Sequence, residues 1–205
     1  MKVYGSSGNR TRRVLWTLEE LGLPYVLEAL DLRAGEHRTP EFQALNPNMR
    51  VPTVVDGDLV LFESAAIAMH IAGKVPESGL IPPTGTVEHA RVLQWMFWVC
   101  TELEQPLWSM GKHRFALPRA QRIREMLETA TWEWRRATPV LAQALEGREF
   151  LVGEGFTVAD IFAAHTLLWG RGFDAPFDSP VLENYLDRML VRPAFERTKS
   201  PPLAE

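Results

Sequence analysis

The sequence predicts an α/β unit followed by an all-helical unit. Three observations carry this: a strand, helix, strand order over residues 2–31; a β-branched run that opens on proline at Val51-Pro52-Thr53-Val54-Val55 and leads into a hairpin and a helix; and the loss of strand-like alternation beyond a Pro- and Gly-rich connector. The expected boundaries are 1–77 for the α/β unit, 78–86 for the connector and 87–205 for the helical unit.

Taken in order, Lys2-Val3-Tyr4-Gly5 reads as a short strand, and apolar residues at 14, 15, 18 and 21 have the spacing of a helix face. Gly22 ends that helix, with Pro24 close behind. Residues 25–31 suit a second strand, and 40–47 a short helical turn closed by Asn46-Pro47. Pro52 has no N–H for a ladder, so it belongs at a strand entrance or edge, where open backbone is available to a ligand. After the turn Asp56-Gly57-Asp58 and a second apolar run, Glu63-Ser64 stands before an apolar helix, with Ser64 expected as its N-cap. Such a helix start offers N–H groups and the positive end of a dipole to an anion.

Beyond the connector, residues 88–115 read as a long helix apolar on nearly all sides, which must be covered on several of them. A second long helix is expected over 119–146, with Pro139 kinking or breaking it near Thr138. Further on, Thr157 and Asp160 form a capping box, with Phe156 and Ile161 at staple positions. Asp160 is therefore expected to act in folding and not in catalysis, its cap being worth about 0.5–2 kcal/mol.

Composition excludes several function classes. The 205 residues carry a formal net charge of −4, and the basic cluster Arg10-Thr11-Arg12-Arg13 is short, so neither nucleic acid nor an anionic membrane is an expected partner. No stretch approaches the roughly 20 apolar residues of a membrane span, and residues 1–5 have no apolar signal-like core. Cys100 is the single cysteine, which excludes an internal disulfide, a CxxC pair and a cysteine metal cluster. His70, His89 and His165 form no metal-spaced pair, so no metal is expected. Gly5-Ser6-Ser7-Gly8 lacks both the dinucleotide-binding spacing and the P-loop ending. The reading is a soluble, cytoplasmic protein that must borrow a thiol for any thiol chemistry.

Val51-Pro52 followed by Glu63-Ser64 at a helix start resembles the glutathione-binding half of the cytosolic glutathione transferases, of bacterial or theta-like type, and the likeness covers essentially the whole chain. It implies a thioredoxin-like N-terminal domain, an all-α C-terminal domain, a homodimer and a role in detoxification. Glutathione is the implied co-substrate. Carried over by position, Pro52 is cis, the Val51 backbone pairs with the cysteinyl part of glutathione, and Glu63 and Ser64 grip its γ-glutamyl end. Arg50 and His37 match positions that meet the glycyl carboxylate in some members.

The family places a Ser, Tyr or Cys after the first strand to stabilise the thiolate. Here Asn9 falls at or next to that position, with Ser7 equally placed if the loop shifts and Ser6 behind both. Asn9 can donate an N–H to sulfur but cannot take its proton, and all three residues also suit a plain cap on the first helix. With no cysteine in the loop, a mixed disulfide on the protein is not expected. The resemblance sets the electrophile between this loop and the long helix, where Trp108, Met110, His113 and Phe115 make an apolar, aromatic-tolerant wall, although such a stripe equally suits a core. The implied reaction is attack of the glutathione thiolate on a small hydrophobic electrophile. The alternatives are glutathione-dependent disulfide or peroxide reduction, and a non-catalytic binding protein of the same fold.

Overall fold

The computed structural model describes residues 1–204, which form two compact units: 1–81 together with 190–204, and 82–189. In the first, strands β1 (Lys2–Gly5), β2 (Val26–Ala29), β3 (Thr53–Asp56) and β4 (Leu59–Phe62) make one sheet in the order β2-β1-β3-β4. β1 runs parallel to β2 and antiparallel to β3, and β3 and β4 form the expected hairpin about Gly57, whose φ of +62° suits glycine. Helices α1 (Thr11–Leu21), α2 (Pro40–Leu45) and α3 (Ser64–Gly73) complete the thioredoxin-like arrangement.

Alternation along β1 sorts the helices. Val3 points into a core with Val14, Leu15 and Leu18 of α1 and Ile67 and Ile71 of α3. Tyr4 points to the other face, where its ring lies 5.9 Å from that of Phe42 on α2. Gly22, at φ +62°, closes α1, and the Leu23 N–H reaches back to the Leu18 carbonyl (3.1 Å). Thr39 caps α2 by accepting from the Phe42 N–H (3.3 Å), with Pro40 in the first turn.

Asp56, at the far end of β3, accepts from His70 Nε2 (3.0 Å) and pairs with Lys74, both on α3. Lys74, and then His70, hold its carboxyl below the ordinary value of 3.8. A depressed value in the fold means that the stabilisation is present above that ordinary value and is lost as pH falls through the lower, folded one. Asp56→Asn is therefore expected to cost under about 1 kcal/mol at neutral pH, the cluster being near the surface. In thermal melts its difference from wild type should vanish in acid; a difference that persists there would refute this account.

The second unit is helical throughout its regular structure. α4 (Val87–Trp98) continues through a wider π turn at Val99–Leu103 into α5 (Glu104–Gly111) and a second π turn at Lys112–Ala116. α6 (Met126–Leu145), α7 (Val158–Gly172) and α8 (Pro180–Leu190) follow. α7 is enclosed on nearly all sides, whereas Phe97 on α4 is 67% exposed in the single chain. One expectation is corrected. α6 starts at Met126, not at 119, and runs through Pro139 without interruption.

The Thr157–Asp160 box is present and is larger than a cap. The fully buried Asp160 carboxylate accepts from the Thr157 N–H (2.9 Å) and hydroxyl (3.0 Å), the Leu151 N–H (2.9 Å) and the Tyr185 hydroxyl (2.9 Å). Burial pushes this carboxyl above its ordinary range, and the four donors oppose that shift.

Returning to the first unit, a last helix α9 (Pro193–Arg197) docks on α1. Phe195 meets Trp16 edge-on at 4.9 Å, and Arg192 grips Glu20 with two bonds (2.7 and 2.9 Å). The chain then pairs with the outer edge of β2: the Leu27 N–H donates to the Pro202 carbonyl (2.7 Å), and the Ala204 N–H to the Leu27 carbonyl (2.9 Å). Among the described residues no helix is long and apolar enough to cross a membrane, and no cluster of His, Cys, Asp or Glu is suited to a metal.

Candidate glutathione site

Strand register assembles the site. Tyr4 pairs with Thr53, and Thr53 with Phe62, so the next residues outward are Gly5, Pro52 and Glu63 on three adjacent strands. At about 4.8 Å between strands they span roughly 10 Å along one end of the sheet. The loop into α1 leaves from Gly5, α3 begins directly after Glu63, and the segment carrying His37 leaves β2 at the same end, where the Leu30 N–H meets the Gly5 carbonyl (3.1 Å).

The Val51–Pro52 peptide is cis, as the resemblance implied. Pro52 is buried at the entrance to β3, Val51 is half-buried, and the Arg50 side chain is exposed. Glu63 adopts φ 71°, ψ 109°, a conformation that costs a non-glycine residue on the order of 1–3 kcal/mol and that persists mainly at functional sites. Ser64 is not the N-cap: it is the first residue of α3, and Glu63 occupies the cap position without a side-chain cap bond. The first intrahelical bond runs from the Ile67 N–H to the Glu63 carbonyl (3.0 Å). The N–H groups of Ser64, Ala65 and Ala66 therefore lack helical acceptors. The Ser64 residue is 7% exposed, and its hydroxyl makes no hydrogen bond among the described residues.

The loop after β1 separates the thiolate candidates. Asn9 is built into the start of α1: its Oδ1 accepts from the Thr11 N–H (2.9 Å), and its Nδ2 donates to Ser6 Oγ (2.9 Å). The half-buried Ser7 hydroxyl makes no hydrogen bond among the described residues. In the loop after β2, His37 Nε2 accepts from Arg38 Nε (3.3 Å). Burial, and then the Arg38 charge, push the imidazole below its ordinary value.

The four residues expected to face an electrophile all lie in the helical unit. Met110 is 1% exposed and belongs to the core. His113 Nδ1 accepts from the Ile123 N–H (3.0 Å). Phe115, 59% exposed, meets Phe173 edge-on at 6.0 Å, and Trp108 is half-buried. Sequence reasoning missed Gly5, whose φ is +143°, and the fully buried Asn46; the one available signal was an Asn-Pro pair shortly before Val51-Pro52.

Comparison with known proteins places this geometry. Residues 1–73 match the family model of the glutathione S-transferase N-terminal domain, and residues 105–193 that of the C-terminal domain. The chain belongs to the glutathione S-transferase family. Within that family it is 34% identical to the disulfide-bond oxidoreductase YfcG of Escherichia coli over 86% of this chain and 84% of that one. It is 31% identical to glutathione S-transferase 3 of Zea mays over 97% and 92%. Among solved structures, Ure2p in complex with glutathione superposes with a TM-score of 0.85 at 26% identity, covering 96% of both chains. The chain spans about half the length of the curated URE2 proteins that it also matches.

Proposed function

We propose that this glutathione S-transferase family member binds glutathione across the Gly5–Pro52–Glu63 row and uses its thiolate to attack a small hydrophobic electrophile, as a homodimer of bacterial or theta-like type. The observation that carries the reading is the strained Glu63 beside an uncommitted Ser64 hydroxyl and three N–H groups lacking helical acceptors. That is a receptor for the carboxylate of the γ-glutamyl end. The Val51 backbone offers main-chain pairing to the cysteinyl part, and Arg50 and His37 are the candidates for the glycyl carboxylate. The homodimer and a detoxifying, cytoplasmic role rest on family membership alone.

A cysteine thiol titrates near 8.5, and lowering it by ~2 units requires about 2.7 kcal/mol of preference for the anion. With Asn9 holding the loop, the Ser7 hydroxyl is the better placed donor to sulfur. No base is offered, so the proton leaves to solvent. The thiolate then forms a carbon–sulfur bond as the electrophile's leaving group departs with its electron pair.

A second reading is favoured by the likeness to the E. coli oxidoreductase and by a loop of donors alone. In it the thiolate attacks a disulfide sulfur, forming a mixed disulfide with glutathione and expelling the other thiolate. Turnover of a model aryl halide against a model hydroxyalkyl disulfide separates the two, and inertness toward both leaves the binding-protein reading. Calorimetric titration with glutathione tests the shared premise. Ser64→Ala should weaken binding about tenfold with the fold intact, the order of a hydrogen bond to a charged group. Wild-type affinity in that variant removes Ser64 from the site.

A further inference from the structure

Asn46, which in the sequence merely ends α2, organises the segment that leads to Val51. It is 1% exposed, and its Nδ2 donates to the Arg50 carbonyl (2.8 Å) and to Thr53 Oγ1 (3.1 Å), while its Oδ1 accepts from the Asn48 N–H (3.0 Å). Carbonyl and hydroxyl on one side and an N–H on the other fix which way round the amide sits. The backbone of Asn46 is engaged as well: its N–H reaches the Phe42 carbonyl (2.9 Å), and its carbonyl accepts from the Met49 N–H (2.8 Å). Met49 adopts φ +52°, a left-handed conformation that this winding imposes on a non-glycine residue. Thr53 Oγ1 also donates to the Arg50 carbonyl (3.2 Å), so Asn46 and Thr53 converge on the peptide group that joins Arg50 to Val51.

We infer that Asn46 is a positioning residue for glutathione, acting through the Arg50 carbonyl to hold the Val51 backbone ready for pairing. The inference rests on the proposed role of Val51. Residues 46–52 belong to no helix or strand, so their single conformation depends on such side-chain bonds. Without Asn46 the segment is free to sample others, and an incoming tripeptide must order it at a cost in affinity. The side-chain bonds of Asn46 run to residues 48–53 and not to the loop at 6–10, so it leaves ionisation of the bound thiol alone.

The test compares wild type, Asn46→Ser and Thr53→Val by calorimetric titration with glutathione, by thermal melting and by thiolate absorbance of the bound ligand against pH. Asn46→Ser should bind about tenfold more weakly and Thr53→Val about threefold, the span of one shared hydrogen bond. Both should keep the wild-type stoichiometry and the wild-type midpoint for the thiol. A lower stoichiometry or melting temperature with wild-type affinity in the remaining protein is what a merely structural Asn46 gives, and it overturns the inference. Should Asn46→Ser not fold, Thr53→Val carries the test, and wild-type affinity there overturns it too. Absence of binding by the wild type sinks the glutathione reading and this inference with it; binding by the wild type with unchanged variants sinks the inference alone.

Discussion

Asp160→Ala is expected to destabilise the helical unit by about 3–5 kcal/mol, well beyond an ordinary cap. Truncation strands the Leu151 and Thr157 N–H groups and the Thr157 and Tyr185 hydroxyls around a fully buried position. Each buried donor left without a partner costs about 1–3 kcal/mol, reduced where the side chains relax together. For a chain of this size, roughly 10 °C of melting temperature should disappear. Tyr185→Phe removes one donor and leaves the cap, so it should cost about 1–2 kcal/mol. Equal melting losses in the two variants would show that the helix cap contributes little and that the network view is wrong.

Gly5→Ala is expected to cost a similar amount and also to disable the glutathione site. An added Cβ would lie 2.0 Å from Thr11 Oγ1, far inside contact, and φ +143° is a backbone conformation that alanine rarely adopts. Strain and clash together amount to about 3–5 kcal/mol. Relief by moving α1 away would displace the loop that carries Ser7 and Asn9. Adding Thr11→Ala should recover the steric part and leave the backbone part. Calorimetry with glutathione alongside melting checks both halves, and a variant that melts and binds like wild type would contradict the close approach of β1 to α1.

What the sequence revealed is what local chemistry dictates. Proline in a β-branched run placed Pro52 at the entrance of β3, and the Thr157–Asp160 spacing announced the start of α7. The end of α1 at Gly22 was equally plain. Features set by distant partners were not legible. Ser64 looks like a cap until the strained turn at Glu63 shows that the helix starts one residue earlier than an N-cap Ser64 would require. Tyr185 lies 25 residues from the carboxylate it bonds. Pro139 carries a helix-breaking signal that packing overrides, since Thr138 and Leu141 beside it are buried. In the candidate site the Gly5–Pro52–Glu63 row follows from register, which one-dimensional pattern leaves open. That Asn9 is tied to Ser6 and to the start of α1 emerged only with the hydrogen bonds of the loop.

The strip of chain at 202–204 that zips onto β2 belongs to a unit interrupted by residues 82–189. A ribosome emits the whole interruption before it emits the closing strip. Throughout that interval the outer edge of β2 at Leu27 is left with unpaired backbone groups, of the kind through which foreign strands add to a sheet.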